Sequence, residues 1–286
     1  RGALMGRFHQ LSGSGNDFLA LAEPSQVPDA GTIRAWCRRG VSIGADGLFV
    51  LRREEGGAAM DYFNADGLPA DLCLNGTRCA GQLAFHLGWA AERVSIRTPA
   101  GAFAVRRLDE ARVAVEVAIP AEEPREMTVE IDGKPYVGYR LLVGVPHFVL
   151  LWPEDLGDAP VRELGRALRY HPVFAPAGTN VNFVRFPARD RMEIRTYERG
   201  VEDETLSCGT GVLASAAVGV ARAGARLPLH VMTQGGFELE VGELQAEFWS
   251  LAGDARVVAA GEILAGAAAS PSPPSWTTRA PMVPAG

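Results

Sequence analysis

Two cysteines, Cys73 and Cys208, stand where a glycine-containing segment turns into a helix-like run. The first segment opens Cys73-Leu74-Asn75-Gly76-Thr77-Arg78-Cys79 and continues to Phe85; the second opens Cys208-Gly209-Thr210-Gly211 and continues through small and apolar residues to Val218. A helix start presents unpaired N–H groups and the positive end of the dipole, which favour a thiolate and offer a seat to a carboxylate. Two such thiols, on opposite sides of a carbon held by its carboxylate, can perform a 1,1-proton transfer. One thiolate removes the α-proton and the other thiol delivers one to the opposite face. The alternative is that both are small buried residues at tight turns. Cys79, inside its helix, and Cys37, in a helix-like run beside Trp36, read as packing residues.

The elements that must position these thiols come in duplicate. Cys73 to Cys208, Gly76 to Gly211, Thr98 to Thr233 and Gly101 to Gly236 are all 135 residues apart, and an internal duplication is the economical reading. Short alternating runs at 112–119, 141–150, 181–186, 192–197 and 237–241 read as half-buried strands. A helix is expected over 156–169, ending before His171-Pro172. The architecture derived from these patterns is α+β: two mainly antiparallel β domains, each with one long helix. The Pro/Ser/Ala-rich segment 270–286 reads as a disordered tail.

The chain has 286 residues, 47% hydrophobic and 22% charged, the composition of a folded protein long enough for two domains. Its net charge of −6, with no basic run, argues against a nucleic-acid partner. No apolar stretch is long enough to span a membrane, and no signal-peptide pattern opens the chain, where Met5 is the expected natural start. Four scattered cysteines make neither a disulfide framework nor a zinc site, so reduced thiols, no metal and a cytoplasmic setting are expected. Only Lys134 is available for Schiff-base chemistry, in the turn-like Ile131-Asp132-Gly133-Lys134-Pro135.

Three further polar segments read singly as turns: Gly13-Ser14-Gly15-Asn16-Asp17-Phe18, which lacks the Gly-Lys-Ser/Thr of a phosphate loop, Asn64-Ala65-Asp66-Gly67, and Glu198-Arg199-Gly200. In order and spacing they accompany Ile43-Gly44-Ala45-Asp46-Gly47, Gly144-x-Pro146-His147, Gly178-Thr179-Asn180-Val181-Asn182-Phe183 and Glu204-Thr205-Leu206-x-Cys208-Gly209-Thr210-Gly211. Together with the two cysteine segments, this chain resembles the diaminopimelate epimerase family of amino-acid racemases that work without pyridoxal phosphate.

The resemblance implies that Cys73 and Cys208 are the catalytic pair and that His147 and Glu198 keep it correctly protonated. It implies that Asn16, Asn64, Asn180 and Arg199 hold substrate, with Arg199 on a distal carboxylate. The backbone at Leu74-Asn75 and Gly209-Thr210 holds the reacting carboxylate. It further implies two pseudo-symmetric domains, each a β barrel or curled sheet around a central helix, with the site in the cleft between them. Residues 1–119 would form the first, with a returning segment near 262–269, and residues 120–261 the second. No cofactor is expected, the partner is an amino acid, and a homodimer is left open.

Two positions depart from the family pattern. Leu74 stands where glycine is usual, placing bulk beside the reacting end. Val145 stands where asparagine is usual, removing an amide from the distal end. The leading expectation is epimerisation of LL- to meso-diaminopimelate. Alternatives are a relative that racemises histidine or O-ureidoserine, a non-catalytic amino-acid-binding protein on the same fold, and a prolyl-type racemase; the last two are disfavoured by the intact thiols and by Asn64, Asn180 and Arg199 respectively.

Overall fold

The alternating runs become strands and both cysteine-led segments become helices. The computed structural model describes residues 4–119, 122–245 and 247–268; the tail at 270–286 lies outside them. The first half contains β1 (Leu4–Gly13), β2 (Asn16–Ala22), α1 (Ala30–Cys37), β3 (Gly47–Glu54), β4 (Gly57–Asn64), β5 (Pro69–Ala70), α2 (Leu74–His86), β6 (Arg93–Thr98), β7 (Gly101–Arg107) and β8 (Arg112–Ala118). After it come β9 (Arg125–Ile131), β10 (Lys134–Val143), β11 (Val145–Leu151), α3 (Val161–Arg169), β12 (Asn180–Ala188), β13 (Arg191–Glu198) and β14 (Asp203–Thr205). The chain then forms α4 (Gly209–Arg222), β15 (Leu229–Thr233), β16 (Glu238–Gln245), β17 (Phe248–Asp254) and β18 (Arg256–Leu264).

The duplication is visible strand by strand. Antiparallel β1–β2, parallel β2–β3, antiparallel β3–β4 and parallel β4–β6 are followed by antiparallel β6–β7 and β7–β8. The second half repeats this sequence with β10–β11, β11–β12, β12–β13, β13–β15, β15–β16 and β16–β17. β9 completes one set by pairing with β10, and β18 completes the other by returning to β1. β8 pairs with β17, so the eighteen strands among the described residues form one continuous sheet. The fold is α+β, mostly sheet, with four α-helices among the described residues.

Each long helix runs inside its half. α2 touches β1, β2, β4, β6, β7, β8 and β18, and α4 touches β10 to β13. Every residue of α2 from Leu74 to Phe85 is buried, and α4 is lined by Gly209, Gly211, Val212, Leu213, Ala214 and Ala216. A helix enclosed on all sides is normally apolar all round. α4 follows that rule except at Ser215, whereas α2 encloses Asn75, Thr77, Arg78 and Gln82. Both helices share one large core with the surrounding strands, and smaller clusters lie under α1 and α3.

Two expected elements are interrupted. The run 141–150 is two strands, because Gly144 at φ +66 reverses the chain between Val143 and Val145. The run 156–169 is a 3₁₀ turn, Leu156–Asp158, followed by α3; Pro160, which has no N–H to continue a helix, separates them. No helix among the described residues is long and apolar enough to cross a membrane.

Candidate active site

The starts of α2 and α4 meet at the seam between the halves. Cys73 and Cys208 are the N-cap residues of these helices, with nearly equal backbone angles, φ −137, ψ 105 and φ −125, ψ 109. Asn75 Nδ2 donates to Ser207 O at 3.3 Å, which ties the second residue after one cysteine to the residue immediately before the other. The contacts around this seam are pseudo-symmetric: Gly15 approaches Leu206 and Phe237, and Gly144 approaches Leu72 and Thr210. Both cysteines are free.

Burial dominates the electrostatics here. It pushes the Cys73 thiol up to about 11, against a lowering from the Gly76 N–H that bonds Sγ at 3.4 Å. Cys208 is pushed further up, by burial and by the nearby Glu198 carboxylate, and its Sγ lies 3.6 Å from Thr210 Oγ1. Glu198, at the end of β13, is itself raised to about 7 by burial, although Thr205 Oγ1 donates to it at 2.8 Å. His147 is fully buried and held neutral, its pKa driven down to about 3 by burial and then by Arg199.

The His147 tautomer follows from its neighbours. Thr196 Oγ1 donates to Asn182 Oδ1 at 3.0 Å, so the Asn182 amide N–H faces His147 Nδ1 at 3.1 Å. Nδ1 therefore accepts and Nε2 carries the proton, with no partner among the described residues. Asn182 Oδ1 also lies against Gly211, whose backbone adjoins Cys208 Sγ. In the first half, the corresponding register places Phe18, Phe49 and Tyr62 where this polar chain stands. Their rings pack at 6.1 and 6.0 Å, and Phe18 reaches toward Gly76 beside Cys73. One cysteine thus faces an aromatic wall and the other a hydrogen-bonded one.

The remaining sequence-derived positions divide into free and engaged groups. Asn64 is exposed at the end of β4. Asn16 is spanned by protein contacts: its Nδ2 donates to Asp46 Oδ2 at 3.1 Å and its Oδ1 accepts from Asn75 Nδ2 at 2.6 Å. Asn180 accepts from the Arg199 N–H at 2.8 Å and donates to Pro146 O at 3.2 Å, fixing the strand ends that carry Arg199 and His147. The Arg199 side chain reaches Ala177 O at 3.2 Å.

Leu74 packs against the start of the opposite helix. It is buried, and a Cβ added to Gly209 would lie only 2.9 Å from Leu74 Cβ and 3.2 Å from Leu251 Cδ2. Leu74 therefore fills the space left by the missing side chain at the equivalent position of α4. Gly209→Ala should destabilise the protein by about 1–3 kcal/mol through overpacking. In chemical denaturation, Leu74→Gly/Gly209→Ala should lose less than the sum of the two single variants; strict additivity would show that this contact is not the cause.

Asn182, Thr196 and Arg78 were not singled out in the sequence. The available signal was an asparagine flanked by Val181 and Phe183 in a strand, and an arginine on an otherwise small-residue helix; each proves to be a buried polar residue.

The sequence profile of the diaminopimelate epimerase family matches residues 8–120 and 139–258. This chain belongs to the diaminopimelate epimerase family. The diaminopimelate epimerase of Aquifex aeolicus is 36% identical over 248 residues, covering 82% of this chain and 88% of that one. Two solved structures share the fold of this family member at lower identity. A PhzF-family phenazine biosynthesis protein from Enterococcus faecalis has a TM-score of 0.68 at 17% identity, covering 90% of this chain and 98% of its own. A probable proline racemase from Agrobacterium radiobacter K84 has a TM-score of 0.67 at 16% identity, covering 91% and 93%.

Proposed function

We propose that this protein epimerises LL-diaminopimelate to meso-diaminopimelate by a two-base 1,1-proton transfer between Cys73 and Cys208. The observation that carries the reading is the meeting of two cysteine-capped helix starts at the seam of a duplicated fold, in a chain of this family. Unpaired N–H groups of Leu74-Asn75 and Gly209-Thr210 receive the reacting carboxylate. They stabilise the negative charge that develops when the α-proton leaves. Asn64 and Arg199 hold the distal end, Arg199 gripping its carboxylate through a planar fork. Asn16 and Asn180 act chiefly by fixing the strand ends around the substrate.

Glu198 and neutral His147 set the proton inventory. A buried thiol at about 11 ionises poorly, and a substrate ammonium beside it supplies the missing positive charge. Closing the halves on the substrate excludes water and strengthens each of these interactions. The reaction written this way needs no cofactor. We assign residues 1–119 with the return near 262–269 to one domain and 120–261 to the other; the β18–β1 pairing favours beginning the return at Arg256. A cytoplasmic location and a homodimer complete the proposal.

The deciding experiment is NMR in D₂O with LL-diaminopimelate and a panel that includes histidine and O-ureidoserine. Loss of the α-proton signal with appearance of the meso isomer supports the reading. Faster exchange of another amino acid would leave the two-thiol chemistry and overturn the substrate. Val145, half-buried at the start of β11, lacks an amide. Val145→Asn should therefore leave kcat/KM for diaminopimelate unchanged or raise it up to roughly tenfold to hundredfold, the worth of one hydrogen bond to a charged group. A loss above tenfold would place Val145 in a site shaped for a different substrate.

A further inference from the structure

The pseudo-twofold that relates the two cysteines breaks at Arg78. This side chain is fully buried in α2, and the equivalent position of α4, 135 residues on, is Leu213 in the apolar core. Helical side chains lean toward the N-terminus of their helix, and Arg78 does so. Its Nη2 donates to Asn75 Oδ1 at 2.9 Å and to Ser14 Oγ at 2.7 Å. Nε and Nη1 have no hydrogen-bond partner among the described residues, and no carboxylate lies within 4.0 Å to pair the charge.

An unpaired buried guanidinium is costly, and its placement here has a consequence for each thiol. By accepting from Arg78, the Asn75 amide is turned so that its N–H groups face Asn16 and Ser207. The cation thus adds to the positive end of α2 and orients the Asn75 side-chain bridge between the two cysteine-bearing segments. Ser14, in the two-residue turn with Gly15, is the extra residue of this hairpin: β10 and β11 turn on Gly144 alone. Its hydroxyl donates to Asp254 Oδ1 at 3.0 Å, which places that carboxylate one group beyond the guanidinium.

We propose that Arg78 makes the two cysteines inequivalent: its buried charge, directed at the start of α2, causes Cys73 to ionise before Cys208. Arg78 is a positioning residue in this scheme, since it acts through Asn75 and through its field. Glu198 from β13, Tyr62 from β4 and Cys208 across the seam also face Cys73; all three oppose its ionisation or are indifferent to it. Asp254 and Cys79 face Arg78, and Arg256 faces Cys79. The ordering of the two thiols by burial and neighbours agrees with this direction. The inference rests on the two-thiol mechanism proposed above, but its test needs no turnover.

The full-length protein, without substrate, is treated with iodoacetamide between pH 7 and 10.5, and alkylation at each cysteine is followed by mass spectrometry. The Cys73 curve should level at lower pH than the Cys208 curve. Arg78→Met should slow Cys73 tenfold or more at pH 8 while leaving Cys208 within about twofold, and Arg78→Lys should restore most of the rate. Asp254→Asn, which removes the neighbouring negative charge, should act in the opposite sense and speed Cys73 selectively. Cys208 levelling first in the unmodified protein, both cysteines responding equally to Arg78→Met, or no selective effect of Asp254→Asn would each overturn the proposal. Failure of diaminopimelate exchange with these alkylation results intact would instead reject the substrate reading alone.

Discussion

Cys73→Ala and Cys208→Ala should each lower the rate of inversion by on the order of 10²–10⁴-fold, the contribution of a positioned proton-transfer group. The two variants should fail differently. Inversion needs a thiolate on one face and a thiol on the other, so neither variant can complete it. Each retains one thiol, however, and that thiol can remove a proton from the isomer presenting its α-hydrogen to that face. It then returns a solvent-derived proton to the same face. Residual deuterium exchange with retention should therefore appear with opposite stereoisomers in the two variants. NMR of LL- and meso-diaminopimelate in D₂O separates inversion from exchange. A variant that inverts within tenfold of the unmodified rate, or two variants that exchange the same isomer, would rule out a thiol on each face.

Much of this arrangement was legible because a duplicated sequence repeats its punctuation. The 135-residue spacing of Cys73/Cys208 and Gly76/Gly211 correctly located both central helices, and both cysteines are their N-caps. Alternation identified β13 and β16, whose burial patterns switch between faces, and β8, which is buried on both faces from Val113 to Val115. Pairing direction was not legible. The parallel β2–β3 and β4–β6 contacts and the return of β18 to β1 depend on chain crossings that no local pattern encodes. Interruptions were missed where one residue decided them, Gly144 by its positive φ and Pro160 by its missing N–H.

The polar network of the site was less visible than its two cysteines. A motif supplies residue types, but Asn182 and Thr196 acquire their part only when β12 and β13 place them opposite each other. Asn16 and Asn180, expected to hold substrate, are each hydrogen-bonded to two protein partners. Their amides fix the walls of the site. Leu74, which looked obstructive as a departure beside Cys73, is accommodated by the glycine at position 209 of the other half.

Acid should weaken the fold through His147 by an amount large enough to isolate in one variant. The group is fully buried, and its pKa falls from 6.5 to about 3 on folding. Between those values the unfolded chain binds a proton that the folded protein refuses, so stability rises with pH across the window. The contribution is complete above 6.5 and is lost as pH falls toward 3, amounting to on the order of 5 kcal/mol for a shift of this size. His147→Gln keeps an acceptor for the Asn182 N–H and removes the titration. Carboxylates elsewhere titrate equally in both proteins and cancel in the difference. Denaturant unfolding from pH 7 to pH 3.5 should therefore show the unmodified protein losing its advantage over His147→Gln by several kcal/mol, most of it below pH 6. Parallel stability curves would mean that the imidazole gains its proton without unfolding, by way of water or a carboxylate reaching Nε2. The buried neutral base opposite the aromatic wall of Cys73 would then not be the resting form of this half of the site.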